Sequence, residues 1–120
     1  MFITAATSFE VAPGETNLVL LQAGGSSVVN LEYESTDTAD YVFAASLDTG
    51  TTFDTSGATK NPTSKTITYT ISPSFVTDGY GTYLLNFTLD DGTSGIDVYK
   101  EVVLFYEQAI TGFQVRKILF

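Results

Sequence analysis

The chain has no cysteine, no histidine and no tryptophan among its 120 residues. Each absence removes chemistry. Without cysteine there is no disulfide framework, no thiolate nucleophile and no Cys-based zinc site. Without histidine the commonest general base and transition-metal ligand is missing. Catalysis would fall to carboxylates, lysine, tyrosine or hydroxyls. Bases are scarce as well: five Lys and Arg stand against 14 Asp and Glu, a net charge of −9. Phosphate binding needs a basic face, so the composition argues against nucleic acid as a partner. No run approaches the roughly 18 apolar residues of a membrane span, and no membrane partner is expected. Met1-Phe2-Ile3-Thr4-Ala5 lacks the basic start and long apolar stretch of a signal peptide. Synthesis in the cytoplasm is the expectation, with no cofactor.

What is present points to strands. Threonine occurs 19 times and serine ten, and 13% of residues are aromatic. An apolar fraction of 43% is too high for a disordered chain. At this length one domain is the default, and folding should bury roughly 65% of the unfolded surface. Charge is unevenly spread. Residues 1–59 hold eight acids and no base, whereas residues 60–120 hold six acids and five bases. Two of those bases are Arg116 and Lys117.

The dominant period along the chain is two. Phe2 to Val11 reads as a first strand, closed by Ala12-Pro13-Gly14-Glu15. Thr16 to Gln22 is a short apolar run. In Val28 to Glu34, Val29, Leu31 and Tyr33 share one face; Asn30, Glu32 and Glu34 share the other. Tyr41, Phe43, Ala45 and Leu47 alternate next. Residues 50–64 read as a long loop with an edge strand around Phe53. Thr66 to Ile71 puts isoleucines and tyrosine inward. Ser72-Pro73 can cap and open one helical turn. Tyr83, Leu85, Phe87 and Leu89 alternate again, and Asp90-Asp91-Gly92 is a hairpin signal. Ile96 to Tyr106 forms the partner strand. From Val102 both its faces are apolar: Val102, Leu104 and Tyr106 on one, Val103 and Phe105 on the other.

Seven or eight strands at this spacing, with no long helix, indicate an all-β antiparallel sandwich. Gly81-Thr82-Tyr83 followed by Leu85 resembles the corner that opens a late strand in immunoglobulin-like domains. There a tyrosine caps the turn and a core residue follows two positions later. In antibody domains that core residue is cysteine; here it is Leu85. The usual aspartate position is held by Gly79, with Asp78 one residue early, and no tryptophan marks the middle strand. The resemblance covers roughly residues 65–107 and implies an immunoglobulin-like sandwich. A second resemblance concerns style. An acidic, Cys-free, Thr-rich chain with Ser46-Leu47-Asp48-Thr49-Gly50-Thr51-Thr52-Phe53 in a loop is similar to small structural proteins of tailed bacteriophages, which decorate capsids or build tails and baseplates.

Several constellations invite chemical readings. Glu32 and Glu34 lie about 7 Å apart on one strand face, as paired carboxylates for glycoside hydrolysis or as a solvated outer face. Asp37 with Asp40, and Asp90 with Asp91, could offer oxygens to calcium; Asp37 and Asp40 are the better pair. Asn86-Phe87-Thr88 matches a glycosylation acceptor but reads more simply as strand. Tyr41, Phe43, Phe53, Tyr80 and Tyr99 could supply rings to a carbohydrate-binding module.

The apolar ends carry the most information. Met1-Phe2-Ile3 and Ile118-Leu119-Phe120 occupy positions that are ordinarily polar and frayed. The expected organisation is a sandwich over 1–110 and, over 111–120, an apolar, basic arm or a last strand. The expected interface residues are Phe2, Ile3, Val103, Phe105, Phe113, Val115, Arg116, Lys117, Ile118, Leu119 and Phe120. The expected function is that of a non-enzymatic virion protein: a homo-oligomer that binds major capsid or tail subunits, decorating or cementing a capsid. Tail or baseplate membership and host-surface carbohydrate binding are the alternatives.

Overall fold

Alternation in the sequence becomes alternation of burial. Val29, Leu31 and Tyr33 are buried while Val28, Glu32 and Glu34 are exposed. Phe43, Ala45 and Leu47, then Ile67, Tyr69 and Ile71, then Leu85, Phe87 and Leu89 repeat the pattern. The structure, a computed structural model, describes residues 6–36, 41–92 and 96–108. Its strands are β1 (Ser8–Val11), β2 (Leu18–Gln22), β3 (Ser27–Glu34), β4 (Val42–Leu47), β5 (Thr59–Asn61), β6 (Thr66–Ile71), β7 (Gly81–Asp90) and β8 (Ile96–Glu107). They form two four-stranded sheets, β1-β3-β6-β5 and β2-β8-β7-β4, packed as the expected β-sandwich.

One pairing departs from the antiparallel expectation. β1 runs antiparallel to β3, from Ser8↔Glu34 to Val11↔Leu31. The Ala12 N–H still donates to the Asn30 carbonyl at 2.9 Å. Pro13 and Gly14 then move the chain sideways, with Gly14 at φ +86°. β2 joins the other sheet in parallel with β8, from Leu18↔Val103 to Gln22↔Glu107. The chain changes sheet without reversing direction, so its new neighbour runs the same way.

The two sheets interlock through aromatic rings. Phe43 of β4 stacks on Phe87 of β7 at 5.7 Å and meets Tyr69 of β6 edge-on at 5.3 Å. It also meets Phe9 of β1 edge-on at 6.3 Å. One ring therefore touches strands of both sheets, in geometries that favour aromatic pairs.

Phe53 refines the sequence reading. Its backbone lies along the edge of β4, where Thr52 bridges to Ser46 and the Phe53 N–H donates to the Ala45 carbonyl at 2.9 Å. Its ring turns inward and is buried in the core, 5.6 Å from the Phe75 ring. A separate short edge strand, Thr59–Asn61, pairs with β6. The expected helical turn is a single 3-10 turn, Pro73–Phe75, capped by the Ser72 side chain.

The corner is present as the resemblance implied. The Tyr83 hydroxyl donates to the Gly79 carbonyl at 2.8 Å. Gly79 sits at φ +100°, a conformation that favours glycine. Asp78 is displaced from the corner and instead accepts from the Thr51 hydroxyl at 2.6 Å. Leu85, in the cysteine position, is fully buried. The start of the expected first strand and the segment 111–120 lie outside the described residues.

Tyr83→Phe should lower stability by about 1 kcal/mol, one hydrogen bond. Phe87→Ala should lower it by about 3–5 kcal/mol, a core cavity. Urea unfolding of both variants checks the ranking, and equal losses would contradict the assignment of Phe87 to the core junction.

Candidate interaction surface

Side chains of the second sheet that point away from the core include an unusual share of apolar ones. β2 contributes Leu18 and Leu20, both exposed. The parallel register sets Leu18 beside Val103 and Leu20 beside Phe105 on β8. On the other side of β8, Leu84 of β7 stands opposite Val103. Phe105 and Leu84 are exposed and Val103 is half-buried. The band continues around the β2 side of the sandwich to Val28 of β3. Leu20 and Val28, at 60% and 57% exposure, face a groove of about 240 Å³ between β2 and β3. Together the exposed parts of these side chains amount to on the order of 400 Å², the size at which apolar patches on monomers are often functional.

Val103 and Phe105 are thus where the sequence placed them, on an outer face. Leu18, Leu20, Leu84 and Val28 were not foreseen as partners. The signal was available for two of them: Leu18-Val19-Leu20-Leu21 is apolar without alternation, the same two-faced pattern as Val102–Tyr106. Phe2, Ile3, Phe113, Val115, Arg116, Lys117, Ile118, Leu119 and Phe120 lie outside the described residues, as do Asp37 and Asp40.

The edges of the second sheet are largely covered against backbone pairing. On β2, the Leu18 carbonyl accepts from the Thr16 hydroxyl at 3.1 Å, and the Leu20 carbonyl accepts from the Ser27 hydroxyl. On β4, the Phe53 N–H donates to the Ala45 carbonyl at 2.9 Å and the Thr55 hydroxyl to the Phe43 carbonyl at 3.1 Å. Such covering is how sheet proteins avoid edge-to-edge aggregation. An uncovered stretch borders the groove. β1 pairs only with Leu31–Glu34 of β3, so Ser27–Val29 have a strand on one side only.

The polar clusters have local explanations. Glu10 and Glu32 face each other across β1 and β3, and Lys100 Nζ reaches Glu10 Oε2 at 2.8 Å. Glu32 and Glu34 are exposed on the same side. Asp90 accepts the Gly92 N–H at 2.7 Å, which makes it a turn residue. Among the described residues, no three acidic side chains gather as ligands for a metal ion. The Ser56 hydroxyl and N–H hold the Asp54 carboxyl below its ordinary value. The Thr51 hydroxyl, then that of Thr49, does the same for Asp78. Burial, with the nearby Asp54 charge, pushes the Tyr69 hydroxyl up. Hydrogen-bonded anions are the opposite of a raised general acid.

The rings do not form a sugar platform. Tyr41, Phe43 and Phe53 are buried. Tyr80 leans on Tyr106 at 4.8 Å with a 49° tilt. Tyr99 lies seven positions before Tyr106 on the same strand, about 23 Å away.

Asp54 and Asp78 have lowered folded-state values, so their stabilisation is present above the ordinary carboxyl range, about pH 4. It is lost as pH falls through the lowered values. Falling negative charge acts the other way, so the comparison that isolates Asp78 is wild type against Asp78→Asn. The stability advantage of wild type should hold from pH 5 to 8 and shrink below about pH 4. A difference independent of pH would contradict this role. Searches against protein-family models and curated proteins find no match for the chain, so the surface is interpreted from its own chemistry.

Proposed function

We propose that this chain is a non-enzymatic structural subunit of a tailed-phage particle that works by binding other protein subunits, as a decoration of the capsid. The observation that carries the subunit-binding reading is the apolar band running from Leu84 across Val103 and Phe105 to Leu18, Leu20 and Val28. Water-facing sheet surfaces are ordinarily polar, and a contiguous band of this size marks a contact with another protein. The acidic charge favours solubility of free subunits before assembly. The virion setting follows from the resemblance carried by Ser46–Phe53, and tail or baseplate membership shares the same chemistry. No described helix is long and apolar enough to cross a membrane.

The test is the mass of the purified protein in solution, by light scattering after size exclusion. We expect a mass above the 12.9 kDa of one chain, rising with concentration. Leu20→Lys combined with Leu84→Lys removes two buried leucines from the contact, about 1.5–3 kcal/mol each. The apparent dissociation constant should rise at least tenfold, with the far-ultraviolet spectrum unchanged. A wild-type chain that stays monomeric to millimolar concentration overturns self-association through this band.

A further inference from the structure

We propose that the occupant of the groove between β2 and β3 is the segment 109–120 of a second copy of this chain. The proposal rests on the subunit-binding reading above and names the partner. Four observations carry it.

The first is size. A stable face-to-face dimer buries roughly 800 Å² on each partner. The apolar band offers about half of that. A single extended segment fits it better than a second globular face.

Charge supplies the second. Residues 1–108 hold all 14 acids and three lysines, a charge of −11. Two such bodies repel when brought face to face. The three lysines are engaged within their own body: Lys60 Nζ donates to the Tyr41 carbonyl, Lys65 Nζ to the Pro62 carbonyl, and Lys100 pairs with Glu10. Arg116 and Lys117 give residues 109–120 a charge of +2. The segment is therefore the one cationic part of the chain, and Glu15 lines the groove.

The third is backbone chemistry. Ser27–Val29 of β3 present a half-edge beside apolar walls from Leu18, Leu20 and Val28. An added strand gains main-chain hydrogen bonds there and side-chain contacts from the walls. Phe113, Val115, Ile118, Leu119 and Phe120 give the segment matching apolar content.

The fourth is direction. The β2–β3 turn joins the two walls and closes the end of the groove nearest Glu107, where the Ala23 N–H donates to the Glu107 carbonyl at 3.1 Å. β8 runs toward that turn and ends beside it, at the closed end of its own groove. Twelve further residues span up to about 40 Å, enough to reach a neighbour. The contact is then head-to-tail, and closes into a ring or extends as a chain.

The absence of native cysteine makes the test direct. A Leu20→Cys chain is mixed with an Ile118→Cys chain, and separately with a Val115→Cys chain, then oxidised. A disulfide between the two chains forms efficiently when the segment of one lies on the other, whereas collisional cross-links give only a background yield. A Val42→Cys chain, exposed at the far edge of the same sheet, replaces Leu20→Cys as the control. We expect a species of twice the monomer mass at least tenfold above the control, weakened by 0.5 M salt and by Arg116→Glu with Lys117→Glu. Equal yields from Leu20→Cys and Val42→Cys, or no cross-link from either segment position, overturn the proposal. So does a Leu20→Cys/Ile118→Cys double variant that cross-links only within one chain. If the protein oligomerises by light scattering while these cross-links fail, subunit binding stands and the segment assignment falls. All substituted positions in the described body are exposed, and thermal unfolding of each variant verifies that it folds.

Discussion

The passage of the chain from one sheet to the other between β1 and β2 is the constraint on which the rest of this structure depends. β1 completes one side of the first sheet and β2 completes the same side of the second, with a turn at Pro13-Gly14 between them. The arrangement ties both sheets together without a disulfide. It also leaves each sheet short of a neighbour. β3 has Ser27–Val29 uncovered, and β8 has its first half uncovered, because β2 reaches only Val103–Glu107. The two gaps are both mixed in chemistry. Beside β8 the gap is lined by Thr7, Ser8, Phe9, Glu10, Val98 and Tyr99 and spanned by the Lys100–Glu10 pair. Beside β3 the leucines and valines stand with Glu15, Thr16, Ser27 and Asn30. A single topological feature thus produces a gap closed by an ion pair and a groove that carries the larger share of exposed leucine and valine.

Charge then decides how the apolar part can be used. With few bases in the body, a symmetric approach of two bodies is opposed at long range and favoured only at short range. That balance selects small, directional contacts over broad ones. Any association between such bodies would be sensitive to ionic strength, since exposed charges are screened over about 8 Å in physiological salt. Without histidine, no side chain with an ordinary value between pH 5 and 8 is available to switch that balance.

Much of the fold was legible because each strand has one buried face. The alternation in Val28–Glu34, Tyr41–Leu47, Thr66–Ile71 and Tyr83–Leu89 specified both strand and orientation, and the structure follows it residue by residue. The burial of the Phe53 ring was not legible for a physical reason. A lone aromatic among Thr, Ser and Gly has no periodic neighbours, so the sequence cannot say whether it faces in or out. The Tyr69 hydroxyl bonding to the Asp54 carbonyl at 2.8 Å shows how tightly that segment is held over the core. The parallel pairing of β2 was hidden as well, because alternation reports faces and not partners. For the interaction surface, the two-faced run Val102–Tyr106 was informative, and Leu18–Leu21 carried the same information unused. Leu84 and Val28 sit singly in otherwise regular strands; the β7–β8 register brings Leu84 into the band, and the packing of β3 beside β2 brings Val28.

The parallel pair β2–β8 has a mechanical consequence. A pull applied upstream of β1 and downstream of β8 draws β2 and β8 in opposite directions along their common axis. After the four-residue β1 gives way, the load falls on the five registered positions from Leu18↔Val103 to Gln22↔Glu107. Their slanted, evenly spaced hydrogen bonds are then strained together in shear instead of opening one by one. Anchored at both ends within a larger assembly, the domain would resist stretching best along the line joining its neighbours.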